Sequence, residues 1–383
     1  YGLPVSAAAF ALRPLMVSES GPSPHPMVQG AKVLQLLPPT EGNPRNTEGA
    51  FLTLRDGRIL FAYTKFSGGT SDHAEATIVG RFSSDGGFTW TSDDITLVQR
   101  EGQMNVMSVS LLRLQDGSIC LFYLRKNSVH DCRPYVRRST DDGKTWGDPV
   151  PCLDGEGYWV LNNDWVVMLR SGRLVFPVAL HTRKGSDYNH RGIATVWFSD
   201  DSGGTWHPSE TKLHCPTDSG AGFQEPGVVQ LKEGRLLMFI RTRLGRQYYS
   251  YSKDEGTTWS PGEPSPLLSP LSPASIKRIP STGDLLAVWN DHEGMPSEYR
   301  ASERGARPFG GKRTPLTLAV SRDKGRTWQD RRNLLTDPAG WYCYTAIHFT
   351  GDNVLLGFAS GGSGLPELSK MDVAVVPIAS LYS

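Results

Sequence analysis

Cysteine is scarce and scattered in this chain of 383 residues. There are five, Cys120, Cys132, Cys152, Cys215 and Cys343, widely spaced and without a Cys-x-x-Cys pair. An odd, dispersed set excludes a disulfide framework and a zinc site of the usual spacing, and no cofactor is expected. Long apolar runs are also missing: nothing approaches the ~20 residues of a membrane-spanning helix. Charge of one sign is missing too, since 40 Lys and Arg face 39 Asp and Glu for a net +1. That balance points to neither a nucleic acid nor a strongly acidic partner. Helical periodicity is nearly absent. Residues 5–12 are apolar but short, with no basic segment before them, which makes a poor signal peptide and leaves the compartment open.

Glycine (41) and proline (27) are abundant, as many turns between short strands require. The pattern Ser-x-Asp-x-Gly-x-Thr-Trp occurs five times, at 83–90, 139–146, 199–206, 252–259 and 321–328. Each copy reads as a tight turn. The Asp bonds its own loop, the Gly permits positive φ, and the Trp plugs the gap between neighbouring sheets. A second repeat is interleaved with the first. Six segments join a glycine turn to a hydrophobic strand, with turn glycines Gly57, Gly117, Gly172, Gly234, Gly283 and Gly351. Each is followed by further strands, giving four per repeat. A four-stranded sheet cannot cover both its faces alone, so the sheets must stack around an axis. The expected fold is all-β: a six-bladed β-propeller of four-stranded antiparallel blades, one domain over 1–383. Residues 1–30 form an arm, and 31–37 return as the closing strand of blade six, which lacks a box of its own.

In such a ring the starts of the inner strands surround the mouth of the central channel. Counting nine residues back from each turn glycine gives Glu48, Ser108, Asn163, Glu225, Ala274 and Tyr342, if no strand is bulged. Two carboxylates and a tyrosine then face one polar well. The loops leaving the second strands add Asp72-His73, His130-Asp131, His181 with Asp187, Arg241 with Arg243, and Asp291-His292; His190 is a further loop histidine. The boxes fall at the far face and are read as structural.

The boxes, together with the stretch from Glu225-Pro226-Gly227 to Leu237, resemble the sialidase (neuraminidase) superfamily over roughly residues 45–360. The resemblance implies a retaining, exo-acting glycoside hydrolase that releases a terminal sialic acid or related acidic sugar from a glycan or glycoconjugate. By the same analogy the location is secreted or periplasmic. Asp72, in a loop leading into 76–79, takes the family's acid/base position, with His73 beside it. Glu225 matches the glutamate that partners the nucleophile, Arg241 and Arg313 match carboxylate-binding arginines, and Tyr342 matches the nucleophile, with Tyr344 a rival one pleat along. Asn163 and Arg45 join the substrate-binding set. One position departs from the pattern: the first inner strand carries Glu48 where the family has an arginine, so that Arg45 reaches in from three residues upstream or the clamp has two arginines. A neutral tyrosine suits an anomeric carbon bearing a carboxylate, which would repel a carboxylate nucleophile. Two other readings of the same residues stay open. One is a non-sialic glycosidase or polysaccharide lyase using Glu48 and Glu225; the other is a carbohydrate-binding propeller without turnover.

Overall fold

A computed structural model describes residues 22–183, 191–217, 220–300 and 310–382. Six antiparallel sheets follow one another along the chain. The first runs Arg45–Thr53, Ile59–Phe66, Ala76–Ser83 and Ile95–Val98. The fourth and fifth repeat this order from Gln224–Gln230 and from Ser275–Arg278. Blades two and three are joined by an extra strand, Gly157–Val160. It pairs in parallel with Asp131–Ser139 and antiparallel with Leu174–Arg183. Blade six takes three strands from Gly340–Thr350, Asn353–Gly362 and Leu365–Pro377, and its fourth from Lys32–Leu37 at the other end of the chain. The closing strand therefore lies where the hairpin count put it. Part of the preceding arm is also seated: Met27 bridges Asn333 of blade five, and Asn333 Nδ2 donates to Ser23 Oγ and the His25 carbonyl.

Strands buried on both faces are apolar almost throughout, as Leu236–Arg241 and Leu285–Trp289 illustrate. Their side chains form six clusters, one at each interface between neighbouring blades, the last joining blade six to blade one. Each box tryptophan enters one of them. Trp90 meets the cluster between blades six and one, Trp146 that between one and two, and Trp206 that between two and three. Trp259 and Trp328 fill the next two. The sixth interface has no box, and there Ile378, Leu381 and Tyr382 from the C-terminal 3-10 turn supply the plug.

The boxes share one hydrogen-bond scheme. In the second, Ser139 Oγ donates to Asp141 Oδ1, Gly143 N donates to Ser139 Oγ, and Thr145 donates to Asp141 through both N and Oγ1. These bonds hold the Asp141 carboxyl down at about 2. Gly143 has φ 85°, where a side chain would be strained. The boxes sit at the end of the ring with the hairpin turns: Arg55 N, in the turn of blade one, donates to Asp142 Oδ2 of the second box. The inner-strand starts lie at the opposite end.

Candidate active site

The inner strands carry the side chains that meet at that opposite end, and they are bulged. In blades one, two, four and six the register slips by one residue, at Glu48, Ser108, Glu225 and Tyr344. All four have positive φ, at 52°, 61°, 42° and 54°. Non-glycine residues in this region cost of order 1–3 kcal/mol and persist only where the surroundings impose them. A bulge re-aims a side chain, and four equivalent bulges around one axis aim theirs at one place.

Glu225 is the hub. Its Oε2 accepts from Arg241 Nη1 at 2.5 Å, and its Oε1 accepts from the Tyr344 hydroxyl at 3.2 Å. Arg241 Nη1 is also 3.4 Å from the Tyr344 oxygen. The Arg313 guanidinium lies 5.5 Å from the centre of the Tyr344 ring, with Nη1 on Cys343 Sγ at 2.9 Å and Nη2 on the Leu271 carbonyl. Burial and the Glu225 carboxylate push the Tyr344 phenol well above its usual range, more than Arg241 and Arg313 lower it. The hydroxyl therefore carries its proton in the free protein, and that proton points at Glu225. Burial lowers the pKa of Arg241, but Glu225 and Tyr344 outweigh it, and both arginines remain charged.

On the blade-one side, Arg45 is buried beneath the Asp72 loop. Its Nη1 donates to Asp72 Oδ1 at 2.6 Å and to the Thr70 carbonyl, and its Nη2 is 4.0 Å from Glu48 Oε1. Nε and Nη2 of Arg45, and Nε of Arg241, are buried N–H groups without a hydrogen-bond partner in the protein. Arg45, three residues upstream, thus lies between Asp72 and Glu48. Glu48 accepts a short bond from Ser108 Oγ. Burial pushes Glu48 up to about 7; Arg45 and Ser108 oppose this, while Asp72 and Glu225 add to it. Asp72, with a side chain 60% exposed, lies below the usual carboxylate range: the desolvation it does suffer is outweighed by Arg45 and then Lys126. His73, half-exposed and 6.5 Å from the Tyr158 ring, is lowered by desolvation and then by Lys126.

The expectation that pairs Tyr342 with Glu225 is not met by the geometry. Tyr342 packs in the apolar cluster between blades five and six, edge-on to Phe358. The reason is turn length. In blade one Gly57 sits late in a five-residue loop between Thr53 and Ile59, whereas in blade six Gly351 opens a two-residue turn between Thr350 and Asn353. Counting back from the glycine therefore overshoots by two residues, and Tyr344 holds the position equivalent to Glu48 and Glu225. Asn163 is also placed differently from the expectation of a substrate contact. It is 1% exposed, and its Nδ2 donates to the carbonyls of Gly49 and Tyr344.

The sequence does not single out Lys126, inside Ile119–Ser128, or Asn105, at the start of Asn105–Arg113. Lys126 Nζ donates to the Asp72 carbonyl at 2.7 Å, and Asn105 Nδ2 to the carbonyls of Asp72 and Ala74, so the pair fixes the Asp72 loop. Lys126 is 2% exposed, which nothing in its sequence neighbourhood marks. Asp291 instead ties Arg331 to His25. Asp187 and His190 lie outside the described residues. Among the described residues no group of three His, Cys, Asp or Glu is placed to hold a metal, and no helix is long and apolar enough to cross a membrane.

A family model described as a BNR repeat-like domain matches residues 57–356. The chain belongs to this family. Among solved structures, the BNR propeller superposes on a protein of unknown function from Dyadobacter fermentans with TM-score 0.71 and 19% identity, covering 92% of this chain and 100% of that one. A Hadza microbial sialidase gives 0.68 at 18% identity, covering 89% and 67%. In sequence, it is 24% identical over 229 residues to a sialidase of Bacteroides fragilis, covering 57% of this chain and 37% of that protein. The BNR propeller spans 37% to 56% of the length of the curated sialidases it matches. Sialidase-like architecture is thus established at the level of the fold and distant sequence relation.

Proposed function

We propose that this BNR propeller is an exo-acting glycoside hydrolase that releases a terminal sialic acid or a related acidic sugar with retention. The hydrogen bond from Tyr344 to Glu225, bracketed by Arg241 and Arg313, carries the reading. Arg241, Arg313 and the unpartnered edge of Arg45 offer charge-assisted donors to a sugar carboxylate, each such bond contributing roughly 1.5–3 kcal/mol. Glu225 takes the phenol proton as the Tyr344 oxygen attacks the anomeric carbon. The leaving-group oxygen receives a proton from Asp72. In the second half Asp72 removes a proton from water, which displaces the tyrosine, and Glu225 returns the proton to it. Arg45 holds Asp72 ionised in the free protein, so Asp72 becomes a competent acid only once a substrate carboxylate competes for Arg45.

Glu48 supports one other reading. Glu48 holds a proton near neutrality while Glu225 is ion-paired with Arg241, a division of labour that suits an inverting acid and base acting on a sugar without a carboxylate. Aryl sialosides tested beside neutral and uronic aryl glycosides separate the two. The expected result is sialoside cleavage that falls ~10²-fold or more in Asp72→Ala and is lost in Tyr344→Phe. Cleavage of a neutral glycoside that survives Tyr344→Phe and is lost in Glu48→Gln would establish the two-glutamate reaction instead. Sugar binding with no cleavage of any glycoside would leave a lectin.

A further inference from the structure

The segment that presents Tyr344 is held from beneath by residues of two other blades. Asn163 Nδ2, from blade three, donates to the Tyr344 carbonyl at 3.2 Å. Ser275 Oγ, from blade five, donates to the Thr345 carbonyl at 2.6 Å. Asp164 Oδ2 accepts from Ile347 N at 2.9 Å, and Lys277 Nζ donates to the Ile347 carbonyl at 2.8 Å. Lys277 and Asp164 also pair with each other at 2.7 Å. Asn163 donates in addition to the carbonyl of Gly49, the residue after Glu48, at 2.7 Å.

These groups satisfy backbone on the axis-facing edge of Gly340–Thr350, the innermost strand of its sheet, at and just beyond the bulge. Tyr344 and Thr345 lie where the register with Asn353–Gly362 slips between Cys343 and Ala346, and their carbonyls bond to Asn163 and Ser275. A buried carbonyl without a partner is costly, and a tyrosine with φ 54° keeps that backbone only if its surroundings fix it. The partners come from across the axis instead of from the neighbouring strand. One amide, Asn163, binds the backbone beside Glu48 and that of Tyr344 together, and so links the two bulges that carry site residues on blades one and six.

We propose that Asn163 is a positioning residue for the reaction: as a donor bridging Gly49 and Tyr344, with Ser275 beside it, it holds the Tyr344 hydroxyl on Glu225. The inference rests on Tyr344 and Glu225 acting as the proposed nucleophile and base. It differs from a substrate-binding role because both bonds from Asn163 Nδ2 are to backbone and the side chain is out of reach of solvent.

The test replaces Asn163 by alanine and by aspartate. Aspartate has the same shape but offers acceptors where two carbonyls need a donor, so the order of harm distinguishes positioning from mere space-filling. With an aryl sialoside, kcat is expected to fall by up to ~10²-fold in Asn163→Ala, the scale of an ångström-sized misplacement, and further in Asn163→Asp, with KM little changed. Ser275→Ala, which removes a single bond, should fall in the same direction by less, and serves if the Asn163 variants do not fold. The second readout needs no turnover. With 3-fluorotyrosine at position 344, the 19F resonance should shift in Asn163→Ala and Asn163→Asp. A raised KM with unchanged kcat would overturn the proposal in favour of substrate contact. An Asn163→Asp variant as active as wild type, or a fluorine signal unmoved in both variants, would overturn it outright. If wild type cleaves no glycoside, the proposed reaction fails and the bracket is judged on the fluorine signal alone.

Discussion

Replacing Glu48 by glutamine should change how stability depends on pH more than it changes stability itself. Glu48 is 5% exposed and is pushed up to about 7, against 4.5 for a free glutamate. At about 1.4 kcal/mol per pH unit, ionising it in the folded protein costs about 3 kcal/mol more than in the unfolded chain. The sign follows from the raised value. Below pH 4.5 the group is protonated in both states and no penalty applies. Between 4.5 and about 7 the unfolded chain ionises while the folded protein keeps its proton, and stability falls. Above 7 both forms are ionised and the penalty is complete. Glutamine keeps an acceptor for Ser108 and cannot ionise. Any packing cost of the amide is the same at every pH, and other buried carboxyls with raised values, Asp164 and Asp372, cancel in the comparison. Chemical denaturation of both proteins at pH 4 and pH 8 therefore isolates one carboxyl. Wild type should lose about 3 kcal/mol more than Glu48→Gln between those values. Parallel pH curves for the two proteins would show that Glu48 does not hold a proton in the fold, and would remove the basis for the two-glutamate reaction.

Three further outcomes follow from the geometry. Tyr342→Phe should retain sialoside turnover, since its hydroxyl is remote from Glu225, whereas Tyr344→Phe should abolish it; steady-state kinetics with intact melting curves decides. Breaking the Asp164–Lys277 pair, in which Asp164 is buried and Lys277 is a third exposed, with Asp164→Asn should cost about 1.5–3 kcal/mol by urea titration, the scale of a lost charge-assisted hydrogen bond, and the matching Lys277→Met should restore part of it. Asp141→Ala in the second box should lower the melting temperature while leaving kcat/KM unchanged, because the box lies at the other end of the ring from Glu225; a loss of activity at unchanged melting temperature would contradict that placement.

The architecture was legible because two repeats of different kinds ran in phase. The glycine turns counted the blades, and the box tryptophans marked the seams between them. The closing strand was legible by subtraction, since blade six lacked a fourth strand and residues 31–37 lacked a sheet. The site was legible in part. Glu48, Glu225, Arg241 and Asp72 are named by motif and by equal spacing from a turn. Tyr344 is not, because its hairpin uses a shorter turn, and turn length is a local choice that inner-strand spacing does not reveal. Asn163 is expected to touch substrate, whereas its amide binds backbone. Its position on the ring is correct, but the sequence does not tell whether an amide faces the well or the backbone behind it. Lys126 is not legible, because nothing in its sequence neighbourhood marks its burial.

The ring closes where its earliest strand meets the last blade, and this fixes when the candidate site can be complete. Arg45 and Glu48 are synthesised in the first blade and Tyr344 in the last, and the last is complete only after Lys32–Leu37 has zipped onto Leu365–Pro377. A chain folded through five blades holds the Asp72 loop, Glu48 and Glu225 but not Tyr344. On the proposed reaction, the Tyr344–Glu225 contact is then made only with circularisation, and a fraying of that seam would separate Tyr344 from its partners on blades one and four together.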